Sequence, residues 1–293
     1  MTQASQKIGF GNPQTILVTG AKGMIGSNLV DGLLKAGYRV VGIDRRDADG
    51  SEAYHYCKAD LADREQLAEI VAGNGIDRII HLAALAHTAG EDDLSWERYK
   101  HVNIDCAKNV FEVAEDLPVL YISTVDVYGF YDGKEPVNGA TELHPVSLYG
   151  KSKAIAEEEC KRLKRYSIFR LSPVYTDEIK RDIQKRYYLK YPNVAYRIGK
   201  GSEYEILNIR NAVAAMVDWC EKDPQNDIRI LKDEKRMNTA DYIRAEKAEG
   251  RAKIVLWLPQ RLVNCGYTVF KGILGKNEKT YLLNKAVHPL RSE

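Results

Sequence analysis

The chain has 293 residues, of which 44% are hydrophobic and 29% charged, and its formal net charge is +2. That length suits one large α/β domain or a large domain with a smaller one, and the balance allows a sizeable core without staples. A charge this close to zero gives no argument for nucleic acid or an anionic membrane surface as partner. The five cysteines (Cys57, Cys106, Cys160, Cys220 and Cys265) are scattered, with no CxxC spacing and no Cys/His cluster, so no metal site is expected. Their odd number excludes a complete disulfide set and points to reduced thiols in a cytoplasmic protein. Residues Met1–Gln14 are polar, lack the apolar core of a secretory signal and read as a flexible tail. No apolar run approaches the roughly 18 residues of a membrane span. The longest, Ala212–Val217 and Ile254–Pro259, are core-sized.

In chain order, Thr15–Thr19 reads as a buried strand and Gly26–Ala36 as an amphipathic helix ended by Gly37. Tyr38–Ile43 is a second strand, Tyr54–Ala59 a short strand-like segment, Glu65–Ala72 a helix and Arg78–Leu82 another buried strand. Trp96–Asp116 follows as a long helix, Pro118–Ser123 as a strand, Leu148–Arg165 as a helix and Ser167–Leu171 as a strand. Strands alternating with helices predict a parallel sheet covered on both faces. Beyond Ser172 the rhythm weakens, with Ala212–Glu221 and Thr239–Gly250 as helices and Ile228–Leu231 as a strand. The expected fold is therefore α/β: a Rossmann-type, doubly wound parallel sheet with a smaller C-terminal α-rich substrate lobe. The tail covers 1–14, the dinucleotide-binding domain 15–175, and the substrate lobe 176–293, interleaved with the sheet edge.

Gly20, Gly23 and Gly26 lie between the first strand and the first helix. Glycines there let a pyrophosphate approach the backbone and the free N–H groups of the helix N-terminus. Asp44, 18 residues after Gly26, ends the second strand. A carboxylate in that place accepts from ribose hydroxyls and repels a 2′-phosphate, which favours NAD. Arg45 and Arg46 follow at once, and their pairing with a 2′-phosphate would admit NADP. Tyr149 and Lys153 fall at i and i+4 of a helix, on one face. A neighbouring ammonium lowers a phenol's pKa from near 10 and fits Tyr149 to exchange a substrate proton. Thr124, at a strand end, is placed to hold the substrate oxygen.

Taken together, these residues resemble the extended short-chain dehydrogenase/reductase family, of the NAD-dependent epimerase/dehydratase type. The matching segments are VTGAKGMIGSNLV (18–30), GID (42–44), KADLAD (58–63), HLAA (81–84), HVNIDCAKNVFEVA (101–114), ISTVDVYG (122–129), PVSLYGKSK (145–153) and FRLSPVY (169–175). The resemblance implies a catalytic set of Thr124, Tyr149 and Lys153, supported by Asn103. Around the cofactor it implies Gly20, Gly23, Met24, Ile25, Gly26, Asp44, Arg45, Asp60, Leu61, Leu82, Ala83, Ala84, Asn103, Tyr149, Lys153 and Pro173. It implies a nucleotide sugar as the small-molecule substrate. It also implies a homodimer through the helices at Trp96–Asp116 and Leu148–Arg165.

Asp126 stands where dehydratases of the family carry a glutamate base, and Val125 replaces the adjacent acid. This disfavours dehydration and leaves Asp126 as either a second catalytic base or a loop carboxylate. Tyr204 occupies the family's diphosphate-binding arginine position, with Arg186, Arg197 or Arg210 as the replacement cation. The expectation is an epimerase or a 4-ketoreductase. A reductase of a non-sugar carbonyl and a non-catalytic NAD(P) sensor are the alternatives, the last opposed by the presence of both Tyr149 and Lys153.

Overall fold

The computed structural model describes residues 13–86, 95–189 and 193–293, so residues 1–12 of the expected tail lie outside it. Strand β1 (Thr15–Thr19) leads into α1 (Met24–Lys35), then β2 (Arg39–Asp44), β3 (Tyr54–Lys58), α2 (Arg64–Gly73) and β4 (Arg78–His81). Helix α3 (Trp96–Tyr99) runs through a π-helical stretch, Lys100–Asp105, into α4 (Cys106–Ala114). Strand β5 (Val119–Thr124), α5 (Leu148–Cys160) and β6 (Tyr166–Leu171) follow. Helix α5 is shorter than its sequence suggests, because Arg165 is already held in the ladder by the Val119 N–H at 3.0 Å.

The later chain comprises β7 (Val174–Tyr175), α6 (Arg181–Gln184), β8 (Val194–Ile198), β9 (Glu203–Tyr204), β10 (Leu207–Asn208) and α7 (Ile209–Cys220). It ends with β11 (Asp227–Leu231), β12 (Met237–Asn238), α8 (Thr239–Ala248), β13 (Ile254–Leu258), α9 (Gln260–Leu274) and α10 (Glu278–Val287). Both C-terminal helices and β13 exceed what periodicity alone indicates.

Seven strands form one sheet in the order β11-β6-β5-β4-β1-β2-β3, and every pairing is parallel. The chain reverses direction across the sheet between β1 and β4, the crevice where such folds take ligands. Side chains alternate between two cores, as a pleated strand requires. Leu17, Val41, Ile79, Tyr121 and Ile168 face α2, α4 and α5, while Ile16, Val40, Ile80, Leu120 and Phe169 face α1 and α7. Helices α1 and α7 approach closely at Gly32, where a Cβ would lie 2.5 Å from Val213 Cγ1. The Ala212–Val217 run contributes Ala212 and Met216 to this core. The Ile254–Pro259 run does not behave as core: all five β13 residues are exposed, and among the described residues the strand pairs with β8 alone.

Candidate active site

The turn after β1 is built from contacts that only glycine permits. Gly20 has φ +69°, and a Cβ there would meet the Ala83 backbone at 2.9 Å. A Cβ on Gly26 would lie 2.1 Å from the Gly20 carbonyl oxygen. The turn is tied to β2 by N–H donation from Gly20 to the Ile43 carbonyl at 2.8 Å. Helix α1 begins at Met24 and Ile25 with Gly23 as its N-cap and no side chain capping its first turn. Its positive end is therefore open at the head of the sheet.

At the tip of β2, Asp44 accepts from the Lys22 N–H at 3.1 Å, so the carboxylate also shapes the glycine turn. Arg46 grips it bidentately, Nε and Nη2 each at 3.0 Å. Burial works against the Asp44 charge, but these donors outweigh it and lower its pKa. Arg45 is exposed. Asp60 is exposed and accepts from the Ala62 N–H at 3.0 Å. It does not cap α2, since Asp63 does, accepting from the Gln66 N–H at 3.0 Å. Leu61 is buried, and its carbonyl accepts from Asn109 at 2.8 Å. Leu82, Ala83 and Ala84 leave the end of β4 half-buried, and the Ala83 N–H donates to Thr19 Oγ1 at 3.3 Å.

Asn103 sits in the π-helical stretch and is buried. It accepts from the Leu85 N–H at 2.7 Å and donates to the Leu85 carbonyl at 3.0 Å and Ser152 Oγ at 2.9 Å. It thereby ties the loop after β4 to α5. Pro173, beyond β6, accepts at its carbonyl from the Leu207 N–H at 3.0 Å.

Helix α5 starts at its Ser147 cap, whose Oγ accepts from the Gly150 N–H at 2.9 Å. It presents Tyr149 and Lys153 toward β5. Lys153 is 2% exposed, with Nζ 4.2 Å from the centre of the Tyr121 ring. Burial pulls its pKa down to about 7, with Glu157 and Cys160 opposing. Tyr149 is half-buried, its ring 6.4 Å from that of Tyr99. Thr124 ends β5, and its Oγ1 accepts from the Asp126 N–H at 3.2 Å, which leaves the hydroxyl hydrogen to donate elsewhere. One turn beyond Lys153, Glu157 receives Arg170 Nη2 at 2.7 Å and Ser123 Oγ at 2.5 Å, fixing α5 to β5 and β6. Beneath the site, His81 bonds Thr19 Oγ1 at 2.7 Å through Nδ1, and burial takes its pKa to about 3, so it is neutral.

The substrate side contains residues that the sequence did not flag. The Asp126 carboxylate is buried and accepts from Lys285 Nζ, from Ser147 Oγ, and from the Tyr281 hydroxyl at 2.7 Å. Burial opposes its charge, yet Lys285 and the two hydroxyls hold its pKa below the usual value. Of the three candidate cations, Arg186 lies over the Tyr204 ring at 4.9 Å and acts electrostatically on Tyr281 and Lys285. Arg210 is an exposed partner of Asp177 at 2.6 Å. Arg197 lines an open recess with Trp257, Gln260 and Arg261.

The NAD dependent epimerase/dehydratase family matches residues 16–221. The chain is 32% identical over 189 residues to a UDP-glucose 4-epimerase of Drosophila melanogaster, covering 54% of this chain and 52% of that protein. It is 32% identical over 162 residues to a probable UDP-arabinose 4-epimerase 3 of Oryza sativa subsp. japonica, covering 49% and 39%. The alignments thus span about half the length, or less, of these relatives. In fold it is similar to a UDP-glucuronic acid 4-epimerase of Bacillus cereus solved with NAD (TM-score 0.67, 23% identity, 84% and 88% of the two chains). It is also similar to a UDP-Glc/GlcNAc 4-epimerase of Campylobacter jejuni (TM-score 0.71, 17% identity, 94% and 98%). With its family match spanning most of the chain and its glycine turn at the head of a parallel sheet, this chain belongs to the NAD dependent epimerase/dehydratase family.

Proposed function

We propose that the chain is an NAD-dependent epimerase or 4-ketoreductase of sugar nucleotides, with Thr124, Tyr149 and Lys153 as its catalytic residues. One observation carries the reading: Lys153 is buried on the face of α5 that bears Tyr149, and its ammonium donates no hydrogen bond among the described residues. A desolvated cation without an acceptor is costly unless a bound group completes it. The uncapped α1 N-terminus and the close approach at Gly26 fit a dinucleotide pyrophosphate equally well. In this reading Gly20, Gly23, Met24, Ile25 and Gly26 take the pyrophosphate, and Asp44 the adenosine ribose. Asp60, Leu61, Leu82, Ala83, Ala84 and Pro173 line the rest, and Lys153 donates to the nicotinamide ribose. Bound NAD supplies hydride acceptance and return.

The chain's own part is proton handling and orientation. Thr124 donates its free hydroxyl hydrogen to the substrate oxygen. Tyr149 takes the substrate hydroxyl proton as the carbonyl forms and returns it on reduction, and the Lys153 ammonium favours the phenolate. Asp126 is engaged by Lys285, Ser147 and Tyr281, so it acts as an anchor for α10 rather than as a second base, which argues against dehydration. Arg186, beside Lys285 and over Tyr204, is the cation for a nucleotide diphosphate. Helices α4 and α5 offer the contact for a homodimer.

Ultraviolet absorbance of the purified protein, followed by turnover on a panel of UDP-, GDP- and dTDP-sugars, tests this. Retained NAD with conversion needing no added reductant marks an epimerase, and turnover only with stoichiometric NADH marks a 4-ketoreductase. Inertness toward every nucleotide sugar, with reduction of a non-sugar carbonyl, would overturn the substrate assignment.

A further inference from the structure

Twelve of the fifteen large apolar side chains that stand exposed among the described residues fall between 254 and 283. Exposed apolar residues scattered singly need no explanation, but a concentration does. On α9, Leu262, Val269 and Ile273 follow an i, i+7, i+11 spacing along one stripe of the helix and are 68%, 52% and 76% exposed. Only Tyr267 of this helix is buried. A surface helix of a globular protein turns its apolar stripe inward, whereas α9 turns its stripe out. The preceding β13 exposes Trp257 at 59%, and Leu282 on the adjoining α10 is 67% exposed.

The same stretch is basic. Residues 252–284 contain Lys253, Arg261, Lys271, Lys276 and Lys279 against one acid, Glu278, while the rest of the chain has 38 basic and 40 acidic side chains. The near-zero net charge of the whole chain conceals this segregation. None of the five cations makes an ion pair among the described residues. Lys271 and Lys276 lie instead over the rings of Tyr267 and Phe130, at 5.6 and 5.8 Å.

We propose that the face formed by β13, α9 and the outer side of α10 docks onto an anionic lipid surface. Its aliphatic stripe and Trp257 would enter the headgroup boundary, and the exposed cations Lys253, Arg261, Lys276 and Lys279 would meet lipid phosphates, while Lys271 stays on the inward side of α9 with Tyr267. Long lysine stems reach the headgroups while their methylenes lie along the apolar face. A second copy is a poorer occupant: a two-fold contact sets the same patch against itself, bringing its four exposed cations against four. No helix of the described chain is long and apolar enough to cross a bilayer, so the contact is interfacial.

The test is flotation of the full chain with phosphatidylcholine vesicles, with and without phosphatidylglycerol, at low and high salt. Binding should need phosphatidylglycerol and fall with salt. The double variant Val269→Asp/Ile273→Asp should reduce partitioning about tenfold or more, while NAD binding and the melting temperature stay unchanged. Lys276→Glu/Lys279→Glu should weaken the dependence on phosphatidylglycerol in the same way. Three results overturn the proposal: no flotation with either vesicle, equal flotation on phosphatidylcholine alone, or a wild-type dimer in light scattering that the α9 variants turn into monomer.

Discussion

Two five-residue apolar strands, Thr15–Thr19 and Ile254–Leu258, meet opposite fates: every residue of the first is buried and every residue of the second exposed. Their compositions do not separate them, since TILVT is the less apolar of the two. Position does. Strand β1 lies between β2 and β4 with helices over both faces, whereas among the described residues β13 has β8 as its one strand neighbour. An apolar run thus predicts that a strand forms, while the number of neighbours decides whether burial follows. The largest expected effect breaks this comparison directly. Leu17→Ala in β1 should cost about 2–5 kcal/mol through lost transfer and a residual cavity. Leu256→Ala in β13 should stay within about 0.5 kcal/mol, as exposed substitutions do. Urea unfolding of both variants decides, and equal costs would mean that β13 is covered in solution.

The contrast also explains what could be read from the sequence. The glycine turn occupies seven residues, and its meaning is local: a tight approach at Gly26 and a helix start at Met24. Tyr149 and Lys153 are likewise one helical turn apart. The partners of Asp126 are not local, since Tyr281 and Lys285 lie 155 and 159 residues away on a helix that periodicity did not reveal. Arg46 was visible, yet its choice between Asp44 and a 2′-phosphate depends on side-chain placement. Helix α9 was hidden because Gly266, Gly272 and the β-branched Val263, Thr268, Val269 and Ile273 weaken its local helical signal.

Catalysis should follow the sheet-facing side. Tyr149→Phe keeps the ring against Tyr99 and removes the proposed proton carrier, so turnover on a confirmed substrate should fall about 10²-fold or more, with NAD affinity nearly unchanged. Lys153→Met should weaken both, and Thr124→Val turnover alone. Ile273→Asp on α9 should leave turnover at the wild-type level. Wild-type rates for Tyr149→Phe would move the proton chemistry to another group.

Burial of Lys153 predicts a pH dependence as well. Its folded pKa, about 7, lies below the ordinary 10.5, so the unfolded chain binds more protons between those values. Stability of the cofactor-free protein should therefore rise with pH over that window, by roughly 2 kcal/mol between pH 7 and 9. The buried thiols Cys106, Cys160 and Cys220, whose pKa values burial raises, oppose this above their ordinary value of 9. Lys153→Met should flatten the rise, measured as the urea midpoint against pH. An unchanged slope in the variant would show that Lys153 is solvated.

The smallest effect concerns Asp44, at the rim where the buried sheet meets solvent. Its carboxylate repels a 2′-phosphate, but Arg46 already neutralises part of that charge through two 3.0 Å bonds. The preference for NAD over NADP should accordingly be modest and set by the balance of the pair. Asp44→Asn keeps an oxygen for the Lys22 N–H, removes the charge and releases Arg46, whose guanidinium then suits a phosphate. The ratio of NADP to NAD affinity should rise about tenfold, equivalent to about 1.4 kcal/mol. Arg46→Ala should move the ratio the other way, because the carboxylate is left unopposed. Titration calorimetry with both cofactors separates the outcomes. Opposite shifts in the two variants assign cofactor choice to the pair, whereas an unmoved ratio in both would reduce Asp44 to a brace for the glycine turn.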